Sequence, residues 1–307
     1  MNHGFQSYTV NHLYCQIADR LVNRPDFVSS PRGMKTNELL FVTCVLINPL
    51  SRCITIPSRN TNFGFAVGEF LWYLGGYNDL DHIAYYNKRM THYSDDGKTL
   101  NSAYGYRIFG NDGTVPNQWE NAYRKLVIDK DTRQAIIHIN LPKDQDIQTK
   151  DVPCTLSFSF LIREHALYMK VVMRSNDVIY GLTYDLFSFT LFQEMMWHRL
   201  KKIYPGLKLG SYIHMADSLH LYEEHFTMAK NIVRNFESGI QKTITHEPFD
   251  ENELNFLAQN DEILLRKGTI EKIDLGRYEN NTVRWMVEEL NKHAEKRRNE
   301  KVNKNDL

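Results

Sequence analysis

Hydrophobic positions along this chain change period several times, and each change marks an element. Val10, Leu13, Ile17 and Leu21 recur at helical spacing and predict an opening helix over residues 9–22. Residues 23–35, with two prolines and a glycine, read as a loop. Glu38–Ile47 is an apolar, β-branched run with the pattern of a strand. Phe63–Leu74 predicts a helix that Gly75-Gly76 ends, and residues 77–100 are polar and mixed. Ala135–Ile139 reads as a strand. Leu156–Ile162 and Leu167–Met173, separated by the polar turn Arg163–Ala166, read as a hairpin with one well-buried face. Phe187, Leu191, Met195 and Leu200 predict a buried helix over residues 182–200, and Gly206–Met215 reads as a short strand. The tail from about Glu247 carries two amphipathic segments, Asn252–Leu265 and Thr282–Lys296. It closes in a charged run, Lys292–Asn305, read as a solvated helix end.

Composition narrows the classes. The chain has 307 residues, 42% of them hydrophobic, which is enough to bury a substantial core. Its 37 basic residues balance 37 acidic ones, so net charge gives no case for nucleic acid or a membrane surface as partner. No apolar run has the length of a membrane-spanning helix, and residues 1–30 show no basic-then-apolar signal segment. Cys15, Cys44, Cys53 and Cys154 form no Cys-x-x-Cys pair, so neither a metal site nor a disulfide framework is indicated. A reduced, cytoplasmic setting is the simplest expectation.

One stretch concentrates chemistry, Pro153 to Asp185. Pro153 fixes its own φ and helps hold Cys154 in one orientation. A hairpin would return Arg174 to the neighbourhood of Cys154, where a guanidinium favours the thiolate, the nucleophilic form. On this pattern alone Cys154 reads more readily as a buried small apolar residue, as most free cysteines are, than as a nucleophile. Glu69 lies among Phe70, Leu71 and Trp72, and a carboxylate on an apolar helix face is costly unless paired or used. His220 and Tyr222, two apart on an extended segment, point to the same side and can share one ligand hydroxyl.

Pro153-Cys154, Arg174-Ser175-Asn176-Asp177-Val178, Gly181 and His220-Leu221-Tyr222 together resemble the thymidylate synthase superfamily, in order and spacing. Thr155 and Met173 to Val178 bring the likeness closest to its cytosine-using branch, the deoxycytidylate (dCMP) 5-hydroxymethylases. The resemblance covers roughly residues 30–226. It implies an α+β fold with a large mixed β-sheet and flanking helices. It also implies a single domain over residues 1–307, with a less family-like helical extension from about 230. Cys154 would be the nucleophile, and Glu69 and Tyr104 would order water and relay protons. Arg32, Arg133, Arg174 and Ser175 would bind phosphate, and His220 and Tyr222 the sugar. Asp177 and Trp72 would contact the co-substrate, 5,10-methylenetetrahydrofolate. Arg133 would reach the phosphate site of a partner subunit, which implies an obligate homodimer. Gln134 stands where the family often has a second arginine. The family's usual tryptophans are absent between Tyr73 and Gln118, as is its short apolar closing segment.

Asp185 occupies the place where the synthases carry an asparagine that pairs with uracil. Cytosine presents an amino donor at C4 and an acceptor at N3, and a carboxyl group can accept from the first and, when protonated, donate to the second. The expected substrate is therefore a cytidylate, CMP or dCMP, carrying a hydroxymethyl group after water addition. The alternatives are a methyltransferase on dUMP or dCMP, and a catalytically silent nucleotide-binding relative.

Overall fold

A computed structural model describes residues 3–111, 113, 116–145, 148–239 and 244–305. Strands form where the chain alternates. In the last of them Gly210, Tyr212, His214 and Ala216 are buried, while Ser211, Ile213 and Met215 between them are half-buried. The strands are β1 (His3–Ser7), β2 (Phe27–Ser29), β3 (Thr36–Leu46), β4 (Ile136–His138), β5 (Thr155–Arg163), β6 (Ala166–Met173), β7 (Asn176–Asp177) and β8 (Lys208–Tyr222). They form one sheet in the order β1-β3-β8-β6-β5-β4, with β2 added to β3 and β7 to β8. Pairs β1–β3, β6–β8 and β7–β8 are parallel and the rest antiparallel, so the sheet is mixed. The helices are α1 (Val10–Asn23), α2 (Phe63–Leu74), α3 (Leu80–Tyr86), α4 (Tyr104–Ile108), α5 (Gln118–Ile128), α6 (Thr183–Lys201), α7 (Phe226–Glu237), α8 (Glu251–Phe256), α9 (Glu262–Arg266) and α10 (Asn281–Asn305).

The chain divides into two compact units. One comprises Met1–Thr61, Gln118–Pro142 and Cys154–Thr245, and holds the whole sheet with α1, α5, α6 and α7. Its core lies between the sheet and the helices. The Phe158 ring of β5 is 5.0 Å from Phe189 and 5.8 Å from Phe192 of α6, and Trp119 of α5 meets Phe160 edge-on at 6.0 Å. Leu13, Ile17 and Leu21 of α1 have no exposed surface, as their spacing predicts. The other unit comprises Asn62–Asn117, Lys143–Pro153 and His246–Leu307. There α10 packs along α2, and Arg107 makes a buried bidentate pair with Asp144 at 2.6 and 2.8 Å.

Several elements differ from the sequence pattern. The expected loop 23–35 contains β2, which pairs antiparallel with β3, and the polar stretch 77–100 contains α3. The short strand expected at 206–215 is the first part of a 15-residue β8 that runs on through His220. Its pairing with β3 continues to Tyr222, so hydrogen bonding carries it past the polar Asp217 and Ser218.

One irregularity positions the site. Between β7 and α6 the chain makes a single widened π turn, Val178–Leu182. Its carbonyls are met from outside: the Tyr14 hydroxyl donates to Val178 O at 3.0 Å and Arg59 Nη2 to Ile179 O at 2.5 Å. Arg59 Nε also donates to Thr183 Oγ1 at 3.1 Å, and the arginine is 5% exposed. Removing a donor from a buried carbonyl costs about 1 kcal/mol. Tyr14→Phe is therefore expected to lower the thermal midpoint by about 2–4 °C in calorimetry. An unchanged midpoint would show that Tyr14 does not hold the turn.

Candidate active site

The β5–β6 hairpin brings Cys154 and Arg174 together, as its sequence pattern predicts. Its turn is tight, with Glu164 and His165 at φ 48° and 57°. Thr155 pairs with Met173, so Cys154 and Arg174 sit opposite each other just beyond the last register pair. The Arg174 backbone N–H donates to Cys154 O at 2.9 Å, and its guanidinium Nη2 lies 3.6 Å from the Cys154 sulfur. That contact favours the thiolate. Cys154 is partly exposed, whereas Cys15, Cys44 and Cys53 are buried. Burial pushes the Cys44 thiol up to about 12 and, with the charges of Asp19 and Glu237, the Cys15 thiol up to about 11. Of the four, Cys154 alone combines access with an adjacent cation.

Beyond Met173 the chain keeps to the same edge of β8. Met173 pairs with Ala216, and after Arg174 and Ser175 the strand resumes, with Asn176 opposite Leu219 and Asp177 opposite His220. Arg174 and Ser175 thus occupy a break in an otherwise parallel ladder. The Tyr180 N–H donates to Asp177 Oδ1, capping the π turn, while Asp177 Oδ2 is buried with no hydrogen-bond partner among the described residues. Burial raises the Asp177 carboxyl above its ordinary range, against the opposing pull of His220 and His225.

Asp185 lies eight residues on, in the first turn of α6. Asn176 Nδ2 donates to Asp185 Oδ2 at 2.7 Å. Burial pushes the Asp185 carboxyl up to about 7, with the charge of Asp177 adding to it and the Asn176 bond opposing. Gly181 makes room for this contact: a Cβ there would fall 2.6 Å from Asn176 Nδ2 and 3.3 Å from Asp185 Oδ2. Behind Asn176, His214 Nε2 is 3.0 Å from Asn176 Oδ1, and His214 Nδ1 is 2.9 Å from the Tyr212 hydroxyl.

His220 and Tyr222 share a side of β8, their rings edge-to-face at 5.2 Å. Ser218 donates its one hydroxyl proton to Glu38 and lies 3.4 Å from His220 Nδ1, so Nδ1–H is the donor and Nε2 is left as an acceptor. Burial lowers the His220 pKa, which keeps the ring neutral despite Asp177. Arg32 is exposed in a left-handed turn (φ 54°) and its charge acts on His220. Arg133 is exposed and Ser175 half-buried. The remaining expected residues lie in the other unit. Glu69 is 9% exposed on α2, Tyr104 starts α4 stacked on Tyr73 at 5.4 Å, and the Trp72 indole N–H donates to Asp79 O at 3.2 Å. Sequence reasoning passed over Glu38, Tyr212, His214 and Ser218. Alternation along an extended 208–222 would have placed the last three on one face with His220.

The thymidylate synthase family model matches residues 50–286, so the chain belongs to that family. It is 35% identical over 233 residues to the deoxyuridylate hydroxymethyltransferase of Bacillus phage SP01, a match covering 72% of this chain and 59% of the phage protein. It is 30% identical over 213 residues to the protein of the same name from Pseudomonas phage M6, covering 68% and 58%. A thymidylate synthase of Buchnera aphidicola is 26% identical over 179 residues, covering 57% and 66%. The chain thus spans under three fifths of the length of the two phage relatives. The family uses 5,10-methylenetetrahydrofolate as co-substrate. The unpartnered Asp177 Oδ2 fits such a group, whose pterin carries N–H donors. Among the described residues no helix is long and apolar enough to cross a membrane.

The raised Asp185 pKa has a measurable consequence. The folded state keeps this proton up to about pH 7, whereas an unfolded aspartate loses it near pH 4. The stability that Asp185 contributes is therefore full below about pH 4, declines as pH rises to about 7, and is constant beyond. Asp185→Asn removes the decline, so its stability relative to wild type is expected to grow between about pH 4.5 and 7.5 in urea titrations. A constant difference would mean that Asp185 ionises normally.

Proposed function

We propose that this chain is a folate-dependent 5-hydroxymethyltransferase acting on a pyrimidine deoxynucleotide monophosphate, with dCMP as its substrate. The observation that carries the base is Asp185, a carboxyl held near neutrality by burial and bonded through one oxygen to Asn176. Such a group can accept from the cytosine amino group and donate to N3. The names of the phage relatives support the hydroxymethyl product and the deoxy sugar. They also favour a second reading, dUMP as substrate, because those relatives are named for deoxyuridylate.

The chemistry follows from this chain's residues. The Cys154 thiolate forms a bond to C6 of the pyrimidine, and the electron pair displaced toward C5 makes that carbon nucleophilic. Arg174 stabilises the thiolate and, with Ser175, Arg32 and a partner's Arg133, holds the 5′-phosphate. The neutral His220 offers Nε2 to a sugar hydroxyl, beside the Tyr222 phenol. Asp177 holds the pterin. Methylenetetrahydrofolate, when bound, supplies one carbon at the methylene oxidation level. Glu69 and Tyr104 order the water that completes the hydroxymethyl group and carry away the proton that C5 loses, and the Cys154 thiolate leaves C6 as the 5,6-double bond re-forms. Trp72 supports the folate side through its ring, its indole N–H being committed to Asp79. The Cys154–Arg174 pair favours this reading over a catalytically silent relative, which has no need of a cation-flanked thiol.

A homodimer completes the proposal. Val45, Leu161, Tyr168, Val172, Ile213 and Met215 are only half-buried on the sheet face opposite the one that carries the core. An apolar sheet face of this kind fits a two-fold contact between identical sheets.

The reaction is tested with dCMP, CMP and dUMP, each with methylenetetrahydrofolate, read by mass spectrometry beside dihydrofolate absorbance. Hydroxymethyl-dCMP without dihydrofolate is the expected result, abolished in Cys154→Ser. Hydroxymethyl-dUMP would establish the second reading, and methylation with dihydrofolate would overturn the hydroxymethyl product. The shared site is tested by co-refolding Arg133→Ala with Cys154→Ala. Recovery of activity that neither variant has alone is expected; no recovery would refute an arginine supplied by the partner.

A further inference from the structure

We propose that Tyr212, His214 and Asn176 form a one-way hydrogen-bond chain that fixes which oxygen of Asp185 carries the proton, and so makes the site accept one pyrimidine base and reject the other. The inference rests on the reading that Asp185 faces the 3,4-edge of the base.

A neutral carboxyl group does not by itself distinguish cytosine from uracil. It has one donor and one acceptor, as the bases do at positions 3 and 4, and moving its proton between oxygens exchanges the base it matches. Selectivity needs something that holds the proton in place. In this structure that something begins at Tyr212. Its hydroxyl is fully buried and has His214 Nδ1 as its one hydrogen-bond partner among the described residues. A buried hydroxyl that fails to donate costs about 1–3 kcal/mol, so Tyr212 donates and Nδ1 accepts. His214 is itself buried, and burial pushes its pKa down to about 3, so the ring is neutral and has a single N–H. With Nδ1 accepting, that proton is on Nε2, which donates to Asn176 Oδ1. The amide is thereby oriented with Nδ2 toward Asp185 Oδ2. The carbonyl oxygen of a neutral acid is the stronger acceptor of its two oxygens, so the N–H on Oδ2 favours the proton on Oδ1. That atom has no hydrogen bond to the described residues and is left for a ligand.

Every link is directional, and the direction is set by one phenol three hydrogen bonds removed from the carboxyl. Without it the imidazole can take either tautomer and the Asn176 amide either orientation. The Asp185 proton can then sit on either oxygen, and both bases find a match. Tyr212 and His214 are positioning residues in this scheme, since neither is argued to touch the substrate.

Two measurements test the inference. Long-range ¹H–¹⁵N spectra of the wild-type protein are expected to show His214 as the neutral Nε2–H tautomer at pH 7, and the Nδ1–H tautomer would overturn the proposal without reference to activity. Second, kcat/KM for dCMP and dUMP is compared across variants. Tyr212→Phe is expected to bring the ratio of the two at least about tenfold closer to unity, whichever base the wild type prefers. His214→Gln, which keeps an N–H donor able to reach Asn176, is expected to preserve it. A ratio unmoved by Tyr212→Phe refutes the chain. Asp185→Asn separates the two levels. If it leaves base preference unchanged, Asp185 does not read the base and the underlying reading fails. If it shifts preference while Tyr212→Phe does not, only the present inference fails.

Discussion

The pairing of β8 is the constraint on which the site depends. This one strand pairs with β3 along one edge and, along the other, first with β6 and then with β7. The break between β6 and β7 is where Arg174 and Ser175 leave the ladder. The resumed pairing sets Asp177 opposite His220 and brings Asn176 within reach of His214. Strand side chains alternate, so a slip of one residue would turn Tyr212, His214 and His220 to the opposite face together. In the proposed roles, the base-reading Asp185, the sugar-side His220 and the thiol-flanking Arg174 thus depend on one register.

The same register explains how a carboxyl can stand where an amide is the family norm. An asparagine side chain carries its donor and acceptor on different elements, and its orientation alone decides the pattern it shows. A carboxyl group has two like oxygens, and its pattern is decided by ionisation and by the neighbour that claims one of them. Here burial brings ionisation to the edge of neutrality, and Asn176 claims one oxygen. Gly181 is part of that arrangement, because any side chain at this position would intrude between the two.

Much of this was legible in the sequence. Helical spacing located α1 and α2, apolar alternation located the β5–β6 hairpin, and the hairpin implied the Cys154–Arg174 contact before any motif was invoked. The candidate site residues stand in the sequence as an ordered set of motifs. What was hidden depends on long-range pairing. The sequence pattern reads as a short strand at 206–215 and a separate extended segment at His220–Tyr222, and only the pairing with β3 and β7 makes them one strand. The π turn has no sequence signature of its own, since it is held by Tyr14 and Arg59 from distant segments. The pairing chemistry of Asp185 was inferable from its residue type. Its protonation was not, because burial and a neighbour nine residues back determine it.

That turn also joins the two carboxyls to which binding roles are proposed. Asp177 caps its start and Asp185 follows its end, and the charge on Asp177 contributes to the raised pKa of Asp185. In the proposed roles one faces the pterin and the other the base. A donor that satisfies Asp177 Oδ2 disperses negative charge beside Asp185 and makes it easier to ionise, whereas a ligand accepting from Asp185 Oδ1 favours its neutral form. The two ligands are therefore not independent. Tyr14 and Arg59 brace the connecting turn through its carbonyls, so the coupling these roles imply is the electrostatic one between the two carboxyls.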